Sequence, residues 1–353
     1  MRINNENNRI AFTSLGAMPL KGVFMTSGLH GIADEISSIT PKTGLKVYSL
    51  DKNKNIISSN FLAEGNPKIT WAQDLFSFTK NKLLVDTDMS SETGELLDIA
   101  SKLCEYFDLK YEPHSYHLQG GNYILNETNN SMDLFVGKYD TRDPLFYKTV
   151  KRFDANNLYE IPQAASHIDA FMFIDGKRVF VCDDEMMLDK LAKTIFKLNH
   201  NGYKKLSNDL LTMYQAFKYY SESSPYAPTS EVIKAIEKTG YEPVRIPGRL
   251  YSFTTLGNQV QHVYRSNFAN AILHKNSYGD TVLLTNESAN DFVLGLDEAK
   301  ENEINFSFKK LFLDSISPYI KRENVHFIKG KDNEIIKRLS CFGGLNCSTS
   351  GIV

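Results

Sequence analysis

Along the chain, short apolar runs alternate with longer stretches whose apolar residues recur every three or four positions. The runs Gly22 to Thr26, Leu45 to Leu50, Lys82 to Val85, Tyr123 to Leu125 and Asp133 to Val136 have the length and β-branched or aromatic content of strands. So do Phe171 to Ile174, Val179 to Val181, Ala271 to Leu273, Thr281 to Leu284 and Val325 to Ile328. A helical period marks Glu95 to Phe107, Glu185 to Leu198, Leu206 to Tyr220 and Glu231 to Thr239. In the second of these Met187, Leu191, Ile195 and Leu198 fall on one face, and the fourth is followed by Gly240, placed to cap it. Strands interleaved with helices predict an α/β protein. The rhythm of two strands, a helix and a strand recurs without any sequence-identical repeat, so residues 1–353 are read as one domain of pseudo-repeated units. Residues 200–228, rich in Tyr, Ser and Lys and broken by Pro225 and Pro228, read as a helical insertion that ends in a loop.

Charge narrows the partners. Lys and Arg total 40 against 42 Asp and Glu, giving a net charge of −2, and neither sign gathers into blocks. Nucleic-acid binding normally leaves a basic footprint, so nucleic acid is not expected as a partner. No segment approaches the ~20 consecutive apolar residues of a membrane span, and Met1 to Leu20 hold no export-type apolar core. The expectation is a soluble protein with no membrane partner, cytoplasmic or delivered by a specialised secretion system.

Four cysteines in so long a chain are too few for a disulfide framework, and with no CxxC spacing zinc is not indicated. Cys104 lies on the apolar stripe Leu96, Ala100, Leu103, Phe107, and Cys182 follows the strand-like Arg178 to Val181, so both are expected to pack in the core. Cys347 differs. It follows Gly343-Gly344 and is flanked by Asn346, Ser348 and Thr349, a stretch too polar for a core strand, which leaves a thiol available for chemistry.

Three more segments set polar or ionisable groups inside or beside apolar strand patterns, where they need a reason to be. These are Trp71-Ala-Gln73-Asp74, Gln119-Gly-Gly121-Asn122 and His167-Ile-Asp169. His167 and Asp169, two apart in an extended segment, would project to one face and line one pocket. Taken singly, each has an ordinary structural explanation: Asp74 can cap a turn and the glycine pair can mark a bulge.

In their order along the chain, Trp-x-Gln-Asp, Gly-Gly-Asn, His-x-Asp-x-Phe and a terminal Gly-Gly-x-x-Cys-x-Thr resemble the guanidino-group-modifying superfamily of peptidylarginine deiminases, agmatine deiminase and arginine amidinotransferases. Ser266-Asn-Phe-Ala-Asn270-Ala-Ile-Leu273 with Thr281 to Leu284 resembles the family's Asn-bearing strand and following hairpin. The resemblance runs from about Trp71 to the end of the chain. It implies the pentein fold, an α/β-propeller of five pseudo-symmetric ββαβ units around a central active site. It also implies roles: Cys347 as nucleophile, His167 as general acid and base, and Asp74 and Asp169 as the grip on the guanidinium. Trp71, Gln73, Gln119, Gly121, Asn122 and Asn270 would complete the substrate-binding set.

The chemistry suits these residue types. A guanidinium is planar and permanently cationic, so two carboxylates fix its plane and offset the cost of burying it. Its carbon is a poor electrophile and calls for a thiolate, which a nearby imidazolium and the cationic substrate both favour. The sequence departs from the pattern of the family it resembles at three places. Gln119 stands where the agmatine-type enzymes carry Glu, Gln73 where they carry Arg, and Asn346 where His is common. Trp-x-Gln-Asp is the form of the peptidylarginine deiminases, which favours protein- or peptide-bound arginine, converted to citrulline and ammonia. The acidic residue that should follow the Gln-Asp pair in the calcium-dependent members is not seen in Asp74-Leu-Phe-Ser-Phe78. Neither metal nor cofactor is expected. The alternatives are amidino transfer, deimination of a small guanidino compound such as agmatine, and a non-catalytic arginine-binding protein.

Overall fold

The computed structural model describes residues 14–15, 20, 22–25, 32–50, 56–58, 76–79, 81–86, 93–114, 120–128, 131–138, 144–165, 167–248, 252–256, 259–264, 268–330 and 350–352. Of the candidate site residues, Trp71, Gln73, Asp74, Gln119 and Cys347 lie outside the described residues.

The chain runs β1 (Ser14–Leu15), β2 (Gly22–Phe24), α1 (Ile32–Thr43), β3 (Lys46–Leu50) and β4 (Ile56–Ser58). Then come β5 (Phe76–Thr79), β6 (Lys82–Asp86), α2 (Thr93–Phe107) and β7 (Lys110–His114). A third stretch holds β8 (Tyr123–Thr128), β9 (Ser131–Gly137), α3 (Pro144–Val150) and β10 (Asn157–Ile161). After it follow β11 (Met172–Asp175), β12 (Arg178–Asp183), α4 (Asp184–His200), α5 (Lys204–Ser223), α6 (Thr229–Lys238) and β13 (Glu242–Pro247). A separate hairpin, β14 (Ser252–Leu256) and β15 (Gln259–Tyr264), precedes β16 (Ile272–Lys275) and β17 (Thr281–Asn286). The rest is α7 (Ala289–Val293), α8 (Glu298–Ile304), α9 (Phe308–Ile316), β18 (Val325–Ile328) and β19 (Ser350–Ile352).

Pairing reduces this list to one motif used five times among the described residues. In each unit an antiparallel pair is followed by a helical crossover and a third strand parallel to the second. The sets are β19–β2–β3, β5–β6–β7, β8–β9–β10, β11–β12–β13 and β16–β17–β18. β19 comes from the far end of the chain yet completes the first unit, which joins the two ends in one sheet. β1 and β4 extend two of the sheets, β1 beside β8 and β4 beside β3. Parallel strands need a crossover long enough to bury both faces, and the middle strands accordingly read as continuous apolar runs. Val179, Phe180, Val181 and Cys182 on β12 are all fully buried.

Neighbouring units are bonded in sequence order, and the fifth returns to the first. Phe24 meets Phe76 edge to face, with ring centroids 5.8 Å apart, and Ser77 is hydrogen-bonded to Tyr123. Asn126 Nδ2 donates to the Gly176 carbonyl at 2.9 Å and to Tyr241 at 3.0 Å. Thr281 donates to Asp175 at 2.8 Å, and His274 Nδ1 accepts from the Leu20 N–H at 2.8 Å. The core follows the same path: one cluster containing Val23, Phe24, Phe76, Leu83 and Tyr123 also takes in Ile272, Val282 and Leu284 of the fifth unit.

The predicted strands and the four predicted helices are present. The fourth and fifth units each carry three helices between their second and third strands, and those of the fourth include the long α4 and α5. α5 lies on α4 through Leu210, Met213 and Phe217, all buried, and through the Ser207 hydroxyl, which donates to the Ile195 carbonyl at 3.1 Å. α6 ends as expected at Gly240, whose φ of +80° suits glycine. Both packing cysteines are as expected: Cys182 is fully buried, and burial pushes the half-buried Cys104 thiol up to about 11, which keeps that thiol protonated at neutral pH. No helix among the described residues is long and apolar enough to cross a membrane.

Candidate active site

Each candidate segment stands directly ahead of the first strand of a different unit. Asp74 precedes β5, Gln119 to Asn122 precede β8, His167 and Asp169 precede β11, Asn270 precedes β16, and Cys347 precedes β19. Five chemically dissimilar motifs thus occupy one equivalent place in five repeats.

Three of these segments are described in part or whole, and they meet. Gly120–Asn122 form a 3-10 turn leading into β8. Ile168–Ala170 form another leading into β11, closed by the Phe171 N–H donating to the Ile168 carbonyl at 3.2 Å. The two turns meet at Gly121. A Cβ at that position would lie 2.6 Å from His167 Nδ1 and 2.7 Å from Asp169 Oδ1, so imidazole and carboxylate both rest on backbone that only glycine leaves bare. The geometry differs from the expected one. His167 is extended (φ −127°, ψ 148°), but Asp169 lies inside the turn, so Gly121 brings the pair together and the alternation of a strand does not.

Asp169 is 2% exposed, and a buried carboxylate requires donors. Asn270, itself 1% exposed, supplies one: its Nδ2 donates to Asp169 Oδ2 at 2.7 Å. Asn270 is held in turn by β17. Asn286 Nδ2 donates to the Asn270 carbonyl at 3.1 Å, and one residue earlier the Thr285 hydroxyl donates to the Phe268 carbonyl at 2.7 Å. This fixes the irregular backbone before β16 and aims the Asn270 amide across the gap between units at Asp169.

Asn122, in the same turn as Gly121, is 2% exposed. Its Oδ1 accepts from Gln163 Nε2 at 2.8 Å, inside a space kept open by Gly137, where a Cβ would fall on the Asn122 amide and 2.7 Å from Gln163 Cδ. Gln163 and Asn286 escaped the reading of the sequence. The available signal was their placement: an amide in Ile161-Pro-Gln163-Ala-Ala165 and another ending the wholly buried run Thr281–Asn286.

The described residues therefore define a class by architecture, an α/β protein of five ββαβ units with buried polar groups gathered where the units begin. No family model and no curated protein matches the sequence. Solved structures do match. An agmatine deiminase from C. jejuni aligns with a TM-score of 0.55 and 14% identity, covering 99% of this chain and 98% of that one. A substrate-bound variant of C. jejuni agmatine deiminase gives 0.52 and 13% over 99% and 98%. An amidinotransferase from Microseira wollei, of the saxitoxin biosynthetic pathway, gives 0.51 and 10% over 97% and 96%. These structural neighbours are pentein enzymes, and at such identities the likeness establishes the fold: this chain has their mixed α/β architecture over nearly its whole length.

Proposed function

We propose that this protein is a cysteine-dependent enzyme acting on guanidinium groups, built as one catalytic domain whose five units surround a central site. The observation that carries the reading is the equivalence of the candidate segments. If the five units are related by rotation, residues just ahead of their first strands would converge on the axis, and the mutual contact of Gly121, His167, Asp169 and Asn270 supports this. That rotation would bring Cys347 and Asp74 to the same place.

In this reading Asp169, steadied by Asn270, and Asp74 accept the N–H groups of the substrate guanidinium, with Trp71, Gln73, Gln119 and Asn122 shaping the rest of the pocket. The Cys347 thiolate adds to the guanidinium carbon to give a tetrahedral adduct. His167 gives a proton to one nitrogen, the C–N bond breaks, ammonia departs and a thiouronium remains on Cys347. His167 then takes a proton from water, the hydroxide adds to the same carbon, and expulsion of the thiolate leaves a ureido product. No metal or cofactor is needed for these steps.

Gln73 in Trp71-x-Gln73-Asp74 favours arginine within a protein or peptide as substrate. A second reading, deimination or amidino transfer on a small guanidino compound, is favoured by neighbours that are an agmatine deiminase and an amidinotransferase. The deciding experiment incubates the protein and its Cys347→Ala variant with free arginine, agmatine and arginine peptides, reading ureido product and intact mass. A gain of about 1 Da per modified arginine, lost in the variant, supports thiol-dependent deimination. A new guanidino product on an added amine acceptor, seen by mass and without ureido product, means amidino transfer. Silence under both conditions leaves an arginine-binding protein and sinks the enzymatic reading.

A further inference from the structure

We propose that Gln163 is a positioning residue for His167 and Asp169, acting through Asn122 and the turn it belongs to. The inference rests on the reading of His167 and Asp169 as working groups, and the structure supplies the link. Gln163 is 3% exposed and lies two residues beyond the end of β10, four residues before His167. Its backbone is pinned, because its carbonyl accepts from the Ala227 N–H at 2.8 Å, in the loop between α5 and α6. Its side chain spans in the other direction to Asn122 Oδ1 at 2.8 Å. Asn122 is the last residue of the Gly120–Asn122 turn, and the middle residue of that turn, Gly121, is the surface on which His167 Nδ1 and Asp169 Oδ1 rest.

A turn of three residues has little capacity to absorb a change at one end. If Asn122 loses the Gln163 donor, its buried Oδ1 gives up a 2.8 Å bond and the amide resettles, and Gly121 shifts with it. The imidazole and carboxylate are in van der Waals contact with Gly121, so they cannot keep their mutual orientation while it moves. Gly137 belongs to the same device, since its missing Cβ is the space in which Asn122 and Gln163 meet. The α5–α6 loop enters through Ala227, which joins the helical elaboration of the fourth unit to the floor of the site by two hydrogen bonds in series.

The test uses Gln163→Leu, which keeps volume and removes the donor, Gly137→Ala, which pushes on the same contact from the opposite side, and Gln163→His, whose Nε2–H restores a donor at similar reach. Two readouts are taken on the full chain. The first is kcat and KM with the best substrate of the panel above; the second is the imidazole NMR signal of His167 at fixed pH, assigned with His167→Ala. Gln163→Leu and Gly137→Ala are expected to lower kcat roughly tenfold or more, with KM changed less than about twofold, since a misoriented catalytic group loses rate before binding. Both should shift the His167 signal and leave that of His326 in place, and Gln163→His should recover most of each effect. An unmoved His167 signal in folded Gln163→Leu overturns the proposal, as does a lowered melting temperature with kcat of the folded protein unchanged. The NMR arm does not depend on turnover, so an inactive wild type would count against the proposed function alone.

Discussion

Gly121 is where a single atom decides the site. Adding the alanine methyl places carbon 2.6 Å from an imidazole nitrogen and 2.7 Å from a carboxylate oxygen, distances that real Cβ contacts do not reach, so one or both groups must be displaced. Gly121→Ala is expected to destabilise the fold by about 1–3 kcal/mol, the usual range for overpacking. In enzyme assays it should lower kcat roughly a hundredfold, since misplacement by about an ångström has that effect. A variant with wild-type kcat would mean that His167 and Asp169 do not act from the positions they hold. Asn270→Ala acts through electrostatics. Removing the donor from a carboxylate 2% exposed is expected to cost about 1–3 kcal/mol by urea denaturation, the price of an incompletely satisfied buried group. The sequence could name Gly121 and Asn270 as candidates, but a glycine pair and a strand Asn have common structural uses. What they touch was not legible in either segment.

Among the elements, α7 and α9 are joined by a buried acid. Asp291 on α7 accepts the Phe308 N–H at 2.7 Å and the Lys309 N–H at 3.0 Å, the first amides of α9, whose N-cap Ser307 holds the Lys310 N–H at 2.9 Å. Burial pushes Asp291 from its ordinary 3.8 up to about 6, even against the donors of Lys309, Phe308 and Ser288. A carboxyl raised on folding binds its proton more tightly in the native state, so the native protein holds a proton between about pH 4 and 6 that the unfolded chain has released. Stability from this group is therefore present at low pH and is lost as pH rises through that window. Relative to Asp291→Asn, wild-type stability should fall by on the order of 3 kcal/mol from pH 4 to 7. Parallel pH profiles for the two proteins, measured by chemical denaturation, would refute the shifted acid.

Secondary structure was read best where periodicity was strong, as in α4, α5 and the apolar middle strands. α1 was missed because Ile32–Thr43 mixes Ser, Thr and Pro41 with its apolar residues; it forms because Ile32, Ala33 and Ile36 bury against the first unit. Strands β5, β7 and β13 escape the sequence pattern for a related reason. Phe76–Thr79 is short, and Lys110–His114 and Glu242–Pro247 each contain proline, so local pattern argues against strands that pairing with β6 and β12 creates.

For the whole molecule, the seams between units govern cooperativity. Tyr241, at the entry to β13, donates to Asp133 on β9 at 2.6 Å and receives Asn126 of β8, joining the third and fourth units. Burial raises the Asp133 carboxyl, but the donors Asn157, Tyr241 and Ser131 and the nearby Lys177 outweigh it and hold the group below the ordinary carboxylate range. Burial and the bond to Asp133 push the Tyr241 phenol upward, so it stays a donor throughout the working pH range. Tyr241→Phe removes the shared hydroxyl and should cost about 1–3 kcal/mol. Hydrogen exchange should rise in β8, β9 and β13 together; a rise confined to one unit would show that the seam does not couple them.

By itself the sequence determined the α/β class, the unit rhythm, two packing cysteines and the set of polar segments that do not belong in a core. Those properties are local: they follow from apolar period, strand length and residue chemistry within a few positions of one another. Tertiary structure decided what the segments mean. Only pairing across the chain makes β19 the partner of β2, sets His167 and Asp169 on Gly121 from another unit, and brings Asn270 to Asp169 across 101 positions of sequence. Such contacts depend on where five separately encoded units come to rest against one another, a relation that no window of sequence contains.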